Sequence, residues 1–275
     1  MNQDLPPKSL RVGAATVESI PAAVEANVAT AVAVLEAAAE DDVELLVFGE
    51  LFLPGYNPPA LSESPGACDT PPQDRRLEPL RAAARRTGVN ALIGASVPAG
   101  DDRCIAMLLA DAGGRIRDVY HKQNLCGRYE RELFVPGEHS AAVVCQGWKL
   151  GLGICYDAAF PEHARAAALD GCHAYVTGGA FVSGGDHRRD LYHRARALDN
   201  TFYVVFANAQ GGPNPWTFSG GSNVYDPQGC AVSKPVGASL VVGELDPFEL
   251  SRTRSDHTML ADVPRGEFPR YFTEM

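Results

Sequence analysis

Short apolar runs alternate along the chain with longer, alanine-rich segments whose apolar positions recur at helical spacing. The short runs predict strands, which cover residues 10–17, 45–48, 91–97, 105–111, 115–121, 141–145, 148–154, 173–176 and 202–207. The longer segments predict helices over residues 22–40, 77–87, 161–171 and 186–200. Such alternation is typical of an α/β fold. Residues 53–72, rich in Pro, Gly and Asn, predict a loop, and the absence of repeats or linkers predicts one domain over residues 1–275.

Composition and charge exclude several classes of function. Hydrophobic residues make up 45% of the 275 residues and charged residues 21%, as in globular proteins with a sizeable core. The formal net charge of -10 argues against nucleic-acid or anionic-membrane partners, which require a basic surface. No apolar run is long enough to span a membrane, and no signal-peptide pattern is present. The sequence therefore predicts a cytoplasmic protein that binds neither membranes nor nucleic acids.

The cysteines and histidines predict neither a disulfide framework nor a metal site. All seven cysteines lie singly, with no C-x-x-C pair, as in proteins of a reducing compartment. Structural zinc requires paired ligands at short spacing, so we expect no metal, and no cofactor motif is evident either. His187 and His193 come closest to a ligand pair, but a solvated helix face explains them better.

Three chemically active residues stand at the ends of predicted strands. Glu50 ends the run LLVFGE, Lys122 ends IRDVYHK, and Cys155 follows LGLGI and precedes a turn and a helix. A lone cysteine is usually structural, but this strand–turn–helix position lies near a helix N-terminus, which predicts a stabilised thiolate. A carboxylate or lysine at a buried strand end is costly unless it is paired or has a chemical function.

At these three segments the chain resembles the carbon–nitrogen hydrolase, or nitrilase, superfamily, whose members share a Glu-Lys-Cys triad. The matching stretches are VFGELFLPGY, YHKQNL and GLGICYDAAFPEHAR, and the flanks YERELFVPGE, RARALDNTFYVVFAN and FSGGSNVYDPQG extend the resemblance over nearly the whole chain. The resemblance implies an α/β fold of the four-layer αββα sandwich type. It also implies a homodimer or a higher homo-oligomer.

The resemblance also implies roles for individual residues. Glu50 becomes the general base, Lys122 the oxyanion stabiliser and Cys155 the nucleophile, while Glu130 matches a second glutamate that positions substrate and lysine. The backbone N–H of Tyr156 is expected to help bind the oxyanion. The predicted pocket residues are Tyr56, Tyr129, Tyr156, Gly179 and Phe181.

Two positions depart from the family pattern, and the segment after Cys155 indicates a branch. Gly49 replaces the usual proline before the base, which predicts a looser strand end, and Asn124 replaces a histidine, which predicts a changed pocket shape. The C-Y-D…F-P-E form is similar to the aliphatic amidase group. It implies hydrolysis of a small, non-peptide linear amide through a thioester. An N-carbamoyl amine hydrolase, acyl transfer to an amine or hydroxylamine, and a catalytically silent binding protein stay open.

Overall fold

The computed structural model describes residues 5–263 and consists of two β-sheets packed face to face, with helices on their outer sides. The strands are β1 (Leu10–Ala15), β2 (Leu45–Val47), β3 (Asn90–Ala99), β4 (Asp102–Ala110), β5 (Ile116–His121), β6 (Ala142–Cys145), β7 (Trp148–Ile154), β8 (Ala174–Gly179), β9 (Tyr203–Asn208), β10 (Gln210–Gly211), β11 (Phe218–Ser219), β12 (Asn223–Tyr225), β13 (Lys234–Val236) and β14 (Leu240–Leu245). The helices are α1 (Val24–Glu40), α2 (Pro58–Glu63), α3 (Pro65–Cys68), α4 (Glu78–Thr87), α5 (Gly127–Leu133), α6 (Pro161–Leu169), α7 (Asp186–Asn200) and α8 (Pro247–Asp256), with 3₁₀ turns at Arg75–Leu77 and Cys155–Ala159.

Parallel strands form the centre of both sheets. The first sheet has the order β13-β14-β1-β2-β3-β4-β5, in which β1, β2 and β3 are parallel. The second has the order β12-β9-β8-β7-β6, in which β7, β8 and β9 are parallel, while β10 and β11 form a separate small pair. The strand β2 packs across the interface against β8 and β9. Because parallel strands end at one edge of a sheet, the loops after β2, β7 and β8 meet there.

Alternation along the buried strands divides the apolar residues between two cores. In β2, Leu45 and Val47 pack into the core between the sheets, whereas Leu46 and the following Phe48 pack into the core under the helices of the first sheet. Helix α1 supplies its apolar face to that second core. A strand buried on both faces explains why this segment has a continuous apolar run.

The predicted α/β sandwich is confirmed, but the prediction of a loop over residues 53–72 is wrong. Two short helices, α2 and α3, lie within it. The Asn57 side chain accepts a hydrogen bond from the Ala60 N–H at the start of α2, and Pro58 and Pro65 occupy the first helical positions. Within residues 5–263, no helix is both long and apolar enough to cross a membrane.

Candidate active site

Glu50 lies just beyond the carboxyl end of β2, where the two sheets approach each other closely. A Cβ atom on Gly178 would clash with the Phe48 carbonyl oxygen across the interface between the sheets, and one on Gly94, in the neighbouring strand β3, would clash with the Gly49 carbonyl oxygen. Gly179, a predicted pocket residue, accepts a hydrogen bond from the Glu50 N–H at 3.2 Å. A Cβ on Gly49 would lie 2.9 Å from the Gly179 oxygen. This strand end is therefore tightly packed, and the predicted loosening is wrong.

Lys122 follows β5 and joins the two predicted glutamates in the interior. Its Nζ donates to Glu50 Oε1 at 2.6 Å and to Glu130 Oε2 at 2.7 Å. The lysine is 0% exposed and each glutamate is 2% exposed. Glu130 Oε2 also accepts from the Cys126 N–H at 2.7 Å, and its Oε1 accepts from the Tyr56 hydroxyl at 2.8 Å. Two buried carboxylates thus share one buried ammonium group, and Glu130 is fully hydrogen-bonded.

Burial and mutual charge give these groups unusual acidities. Burial raises the pKa of Glu50 to about 7, Glu130 raises it as well, and Lys122 opposes the rise. Burial lowers the pKa of Lys122, but the Glu50 and Glu130 carboxylates together outweigh it and hold that pKa above its ordinary value. Lys122 therefore stays protonated at neutral pH, while Glu50 exchanges a proton in the neutral range, as a general base requires.

Cys155 is the first residue of the 3₁₀ turn after β7, and its thiol lies beside Glu50 and Lys122. Its φ of +46° lies in the left-handed region, which non-glycine residues rarely adopt. Desolvation raises the thiol pKa well above its ordinary value and Glu50 raises it further, while Lys122 and the backbone N–H of Ala180 lower it. These shifts favour a neutral thiol and oppose the thiolate stabilisation that the position near a helix N-terminus predicts.

The Glu50 carboxylate lies next to the Cys155 thiol. In the described part of the chain, its Oε2 atom is buried and makes no hydrogen bond of standard geometry. The Cys155 thiol is close enough to this carboxyl group to lower its pKa. Oε1 is held by Lys122. We refer to Glu50, Lys122, Glu130 and Cys155 as the candidate cluster.

An aromatic wall extends outward from the candidate cluster. The Tyr56 ring lies 5.7 Å from that of Phe218 and 6.0 Å from that of Trp216. Tyr129, which is 51% exposed, lies edge-on to Trp216 at 5.4 Å. Trp216 thus joins the two tyrosines that were predicted as pocket residues, one beside Glu130 and one at the surface.

Phe181 and Tyr156 pack beside the candidate cluster, against other rings. The Phe181 ring lies 5.8 Å from Phe206 and 5.9 Å from His193. Tyr156 packs edge-on to Phe160 at 5.0 Å and lines a surface groove of about 540 Å³. The backbone of Tyr156 directly follows the nucleophile candidate, so the role predicted for its N–H stays a prediction.

Sequence reasoning missed three residues near the candidate cluster. Trp216 stands in an irregular segment without periodicity, and Ala180 contributes only its backbone N–H, so neither leaves a signal in the sequence. Asp157 stands three residues after Ile154, where an acidic side chain that accepts the N-cap N–H is a recognisable capping pattern. Among residues 5–263, no group of three or more His, Cys, Asp or Glu side chains is arranged to hold a metal ion.

Comparison with known proteins gives the same assignment over most of the chain. The profile of the carbon–nitrogen hydrolase family matches residues 11–254. An (R)-stereoselective amidase from Pseudomonas sp. is 32% identical over 80% of this chain and 80% of its own length. The deaminated glutathione amidase of Escherichia coli O157:H7 is 29% identical over 86% of this chain and 90% of its own length.

Solved structures agree with these relatives. A mutant of the nitrilase-superfamily amidase from Nesterenkonia sp. AN1 has a TM-score of 0.79 and 28% identity, covering 92% of this chain and 97% of the amidase. In a second structure of that amidase, acrylamide has added to the active-site cysteine; here the TM-score is 0.78 and the identity 27%, over 90% of this chain and 97% of the amidase. The chain belongs to the carbon–nitrogen hydrolase family and is an enzyme that acts on non-peptide carbon–nitrogen bonds.

Proposed function

We propose that this enzyme is a thiol amidase that hydrolyses a small, linear amide to its carboxylic acid and ammonia through a thioester on Cys155. The observation that carries the proposal is the neutral Cys155 thiol beside a Glu50 carboxylate whose other oxygen is held by Lys122. A nucleophile, a base with a pKa of about 7 and a buried cation are what acyl transfer from an amide requires. The amidase relatives support this proposal.

In the acylation half, Glu50 takes the proton from Cys155 as the sulfur attacks the amide carbonyl carbon. The carbonyl π-electrons move to oxygen and form a tetrahedral oxyanion. When the carbon–nitrogen bond breaks, Glu50 returns the proton to the leaving nitrogen, and ammonia departs. Cys155 is left as a thioester and Glu50 as a carboxylate.

In the deacylation half, a water molecule takes the place of ammonia. Glu50 removes a proton from the water as its oxygen attacks the thioester carbonyl. The carbon–sulfur bond then breaks, and Glu50 passes the proton to the departing Cys155 sulfur. The products are the carboxylic acid and the free thiol, so the enzyme returns to its starting state.

Lys122 is suited to stabilise the oxyanion because it has a donor to spare. An ammonium group has three N–H donors, and the two carboxylates accept two of them. The third is available for the substrate oxygen, together with the backbone N–H of Tyr156. We assign Glu130 the role of holding the lysine, since its carboxylate is anchored by Tyr56 and by the Cys126 N–H.

Glu50→Gln is expected to lower kcat/KM by about 10²–10⁴-fold, the usual contribution of a general base. In the wild type, kcat/KM should fall as the pH drops through about 7, because protonated Glu50 cannot accept the thiol proton. The residual activity of the variant should lack this acidic limb. Glu132→Gln is the control, since Glu132 is an exposed residue that pairs with Arg128. Wild-type-like activity or a retained limb in Glu50→Gln would contradict the assignment.

Trp216→Ala is expected to weaken binding of amides with apolar tails, because it removes the centre of the aromatic wall. We expect KM for an amide with a phenyl or butyl tail to rise about tenfold, equivalent to about 1.4 kcal/mol. Acetamide, which is too short to reach the wall, serves as the internal control and should change less than about twofold. An equal change for both substrates would show that the wall does not contact the tail.

The reaction class is tested by measuring ammonia, carbon dioxide and acid released from a panel of small amides, ω-amino amides, ω-acid amides, N-carbamoyl amines and nitriles. The proposal predicts equimolar ammonia and acid from at least one amide. Carbon dioxide released alongside ammonia would instead identify an N-carbamoyl amine hydrolase. Addition of hydroxylamine would reveal acyl transfer as hydroxamate formation. Silence across the panel would contradict the proposed substrate class.

A further inference from the structure

A third buried carboxylate, that of Asp157, connects three segments around the candidate cluster. Its Oδ2 accepts from the Ile154 N–H at 2.9 Å and from the Tyr120 hydroxyl at 2.7 Å. Its Oδ1 accepts from the backbone N–H and the side-chain amide of Asn124, both at 2.9 Å. Asp157 is 0% exposed. Four donors from the end of β7, from β5 and from the segment after Lys122 therefore converge on one buried group, as a buried charge requires.

The Tyr120 hydroxyl is itself oriented by a chain of hydrogen bonds. Its oxygen lies 2.9 Å from His163 Nε2, and the Tyr175 hydroxyl lies 2.8 Å from His163 Nδ1. Because Tyr120 donates its proton to Asp157, it must accept from Nε2–H, so Nδ1 accepts from Tyr175. Desolvation lowers the pKa of His163, which favours the neutral ring that this arrangement requires. All donors in the chain therefore point toward Asp157.

The hydrogen bonds of Asp157 constrain the backbone on either side of Cys155. Cys155 has a φ of +46°, and strained backbone of this kind persists only where the surroundings over-determine it. By accepting the Ile154 N–H, Asp157 closes a short ring of atoms around Cys155. The same carboxylate holds Asn124, two residues after Lys122. One side chain thus fixes the backbone on both sides of the nucleophile and next to the lysine.

We propose that Asp157, held by Asn124 and Tyr120, is a positioning residue that sets the Cys155 sulfur against Glu50 and Lys122. The proposal rests on the proposed function, because it assumes that Cys155 is the nucleophile. It also gives Asn124 a specific role, since its side-chain amide supplies one of the four hydrogen bonds to the carboxylate. Asp157 is buried within the 3₁₀ turn Cys155–Ala159, which we call the nucleophile turn, so it acts through the backbone of this turn rather than by touching the substrate.

The first test compares variants that remove parts of this arrangement. Asp157→Asn keeps the shape of the side chain but turns one acceptor atom into a donor that opposes its neighbours. We expect kcat to fall about 10²-fold with KM changed less than about threefold, the effect of a misplacement of roughly 1 Å. Tyr120→Phe and Asn124→Ala each remove one side-chain donor, and we expect kcat to fall about tenfold in each.

Tyr203→Phe is the matched control for Tyr120→Phe. Tyr203 is 2% exposed and Tyr120 is 3% exposed, and the Tyr203 hydroxyl bonds only the backbone of Asp246 within the described residues. Both variants lose one buried hydroxyl, so both should lose a similar amount of stability. Only Tyr120→Phe should lose turnover, because the Tyr120 hydroxyl donates to Asp157 in the nucleophile turn and the Tyr203 hydroxyl does not.

The second readout is the rate at which iodoacetamide alkylates Cys155. This rate is measured as a function of pH, at a temperature well below the melting temperature of each variant. A purely structural role would leave this rate unchanged in the folded protein. We expect the rate at pH 7 to change at least about threefold in Asp157→Asn and Tyr120→Phe and to stay at the wild-type value in Tyr203→Phe. Unchanged alkylation and unchanged kcat in the folded Asp157→Asn and Tyr120→Phe variants would overturn the proposal. If the Cys155→Ala enzyme still turned over, the proposed function itself would have failed instead.

Discussion

Replacing Cys155 by alanine is expected to abolish ammonia release from amides, with kcat lower by at least about 10³-fold. The substitution removes the thiol that lies beside the Glu50 carboxylate and Lys122, so no thioester can form at this position. Residues that act together in covalent catalysis lose nearly all turnover when one is removed. The measurement is initial ammonia release from the best amide of the panel, with circular dichroism to confirm that the variant is folded.

Cys230→Ala is the matched control for this experiment. Cys230 is an exposed cysteine whose backbone N–H bonds Asp226, and that bond survives the substitution. We expect this variant to keep kcat within about twofold of the wild type, the small effect of a surface substitution. Sustained turnover in Cys155→Ala, or an equal loss in Cys230→Ala, would contradict the assignment of the nucleophile.

Replacing Lys122 by methionine is expected to remove both activity and much of the stability. The variant keeps a side chain of similar length but leaves Glu50 and Glu130 buried without their common cation. Removing one partner of a buried ion pair costs about 3–5 kcal/mol. Turnover should be lost as well, because the oxyanion loses its cationic donor. Urea unfolding and ammonia release measure the two effects separately.

The stability loss in Lys122→Met should depend on pH in a defined direction. Burial already holds the pKa of Glu50 at about 7, above its ordinary value, and loss of the lysine raises it further. A carboxyl group whose folded pKa exceeds its unfolded pKa contributes stability below the unfolded pKa and loses that contribution as the pH rises through the folded value. The destabilisation should therefore be larger at pH 8 than at pH 5.5.

Two further variants check the cause of this loss. Lys149→Met is the control, because Lys149 is only partly buried and its ammonium bonds the carbonyl of Asp170. Lys122→Met combined with Glu130→Gln removes one of the two unpaired charges, so it should recover part of the stability at pH 8 without recovering turnover. Wild-type stability of Lys122→Met at both pH values would contradict the account of a shared buried cation.

Most of the fold could be predicted because its central strands are buried on both faces. The run ending at Phe48 and the run ending at Ile154 are continuous in apolar and glycine residues, and a residue of the candidate cluster follows each within two positions. The short helices α2 and α3 could not be found by periodicity, since a helix of one or two turns shows none. The sequence did contain a signal for them, in the Asn57-Pro58 and Ser64-Pro65 pairs.

The contacts of the polar side chains could not be predicted, because they depend on residues far apart in the chain. His193 was expected on a solvated helix face, yet it is 0% exposed and stacks on Phe206 at 3.7 Å. Its helix also buries Arg189 and Arg196, whose guanidinium groups bond backbone carbonyls. Long charged side chains can bury their stems in this way, so the polar pattern of α7 conceals its buried face.

The measurement that tests the central claim most directly is mass spectrometry of the enzyme quenched in acid while it turns over an amide. We predict that the peptide containing Cys155 carries the acyl group of the substrate in place of the thiol hydrogen, and that ammonia is released before the acid. Hydrolysis with the acyl group on another residue, or simultaneous release of ammonia and acid with Cys155 unmodified, would contradict a thioester at Cys155.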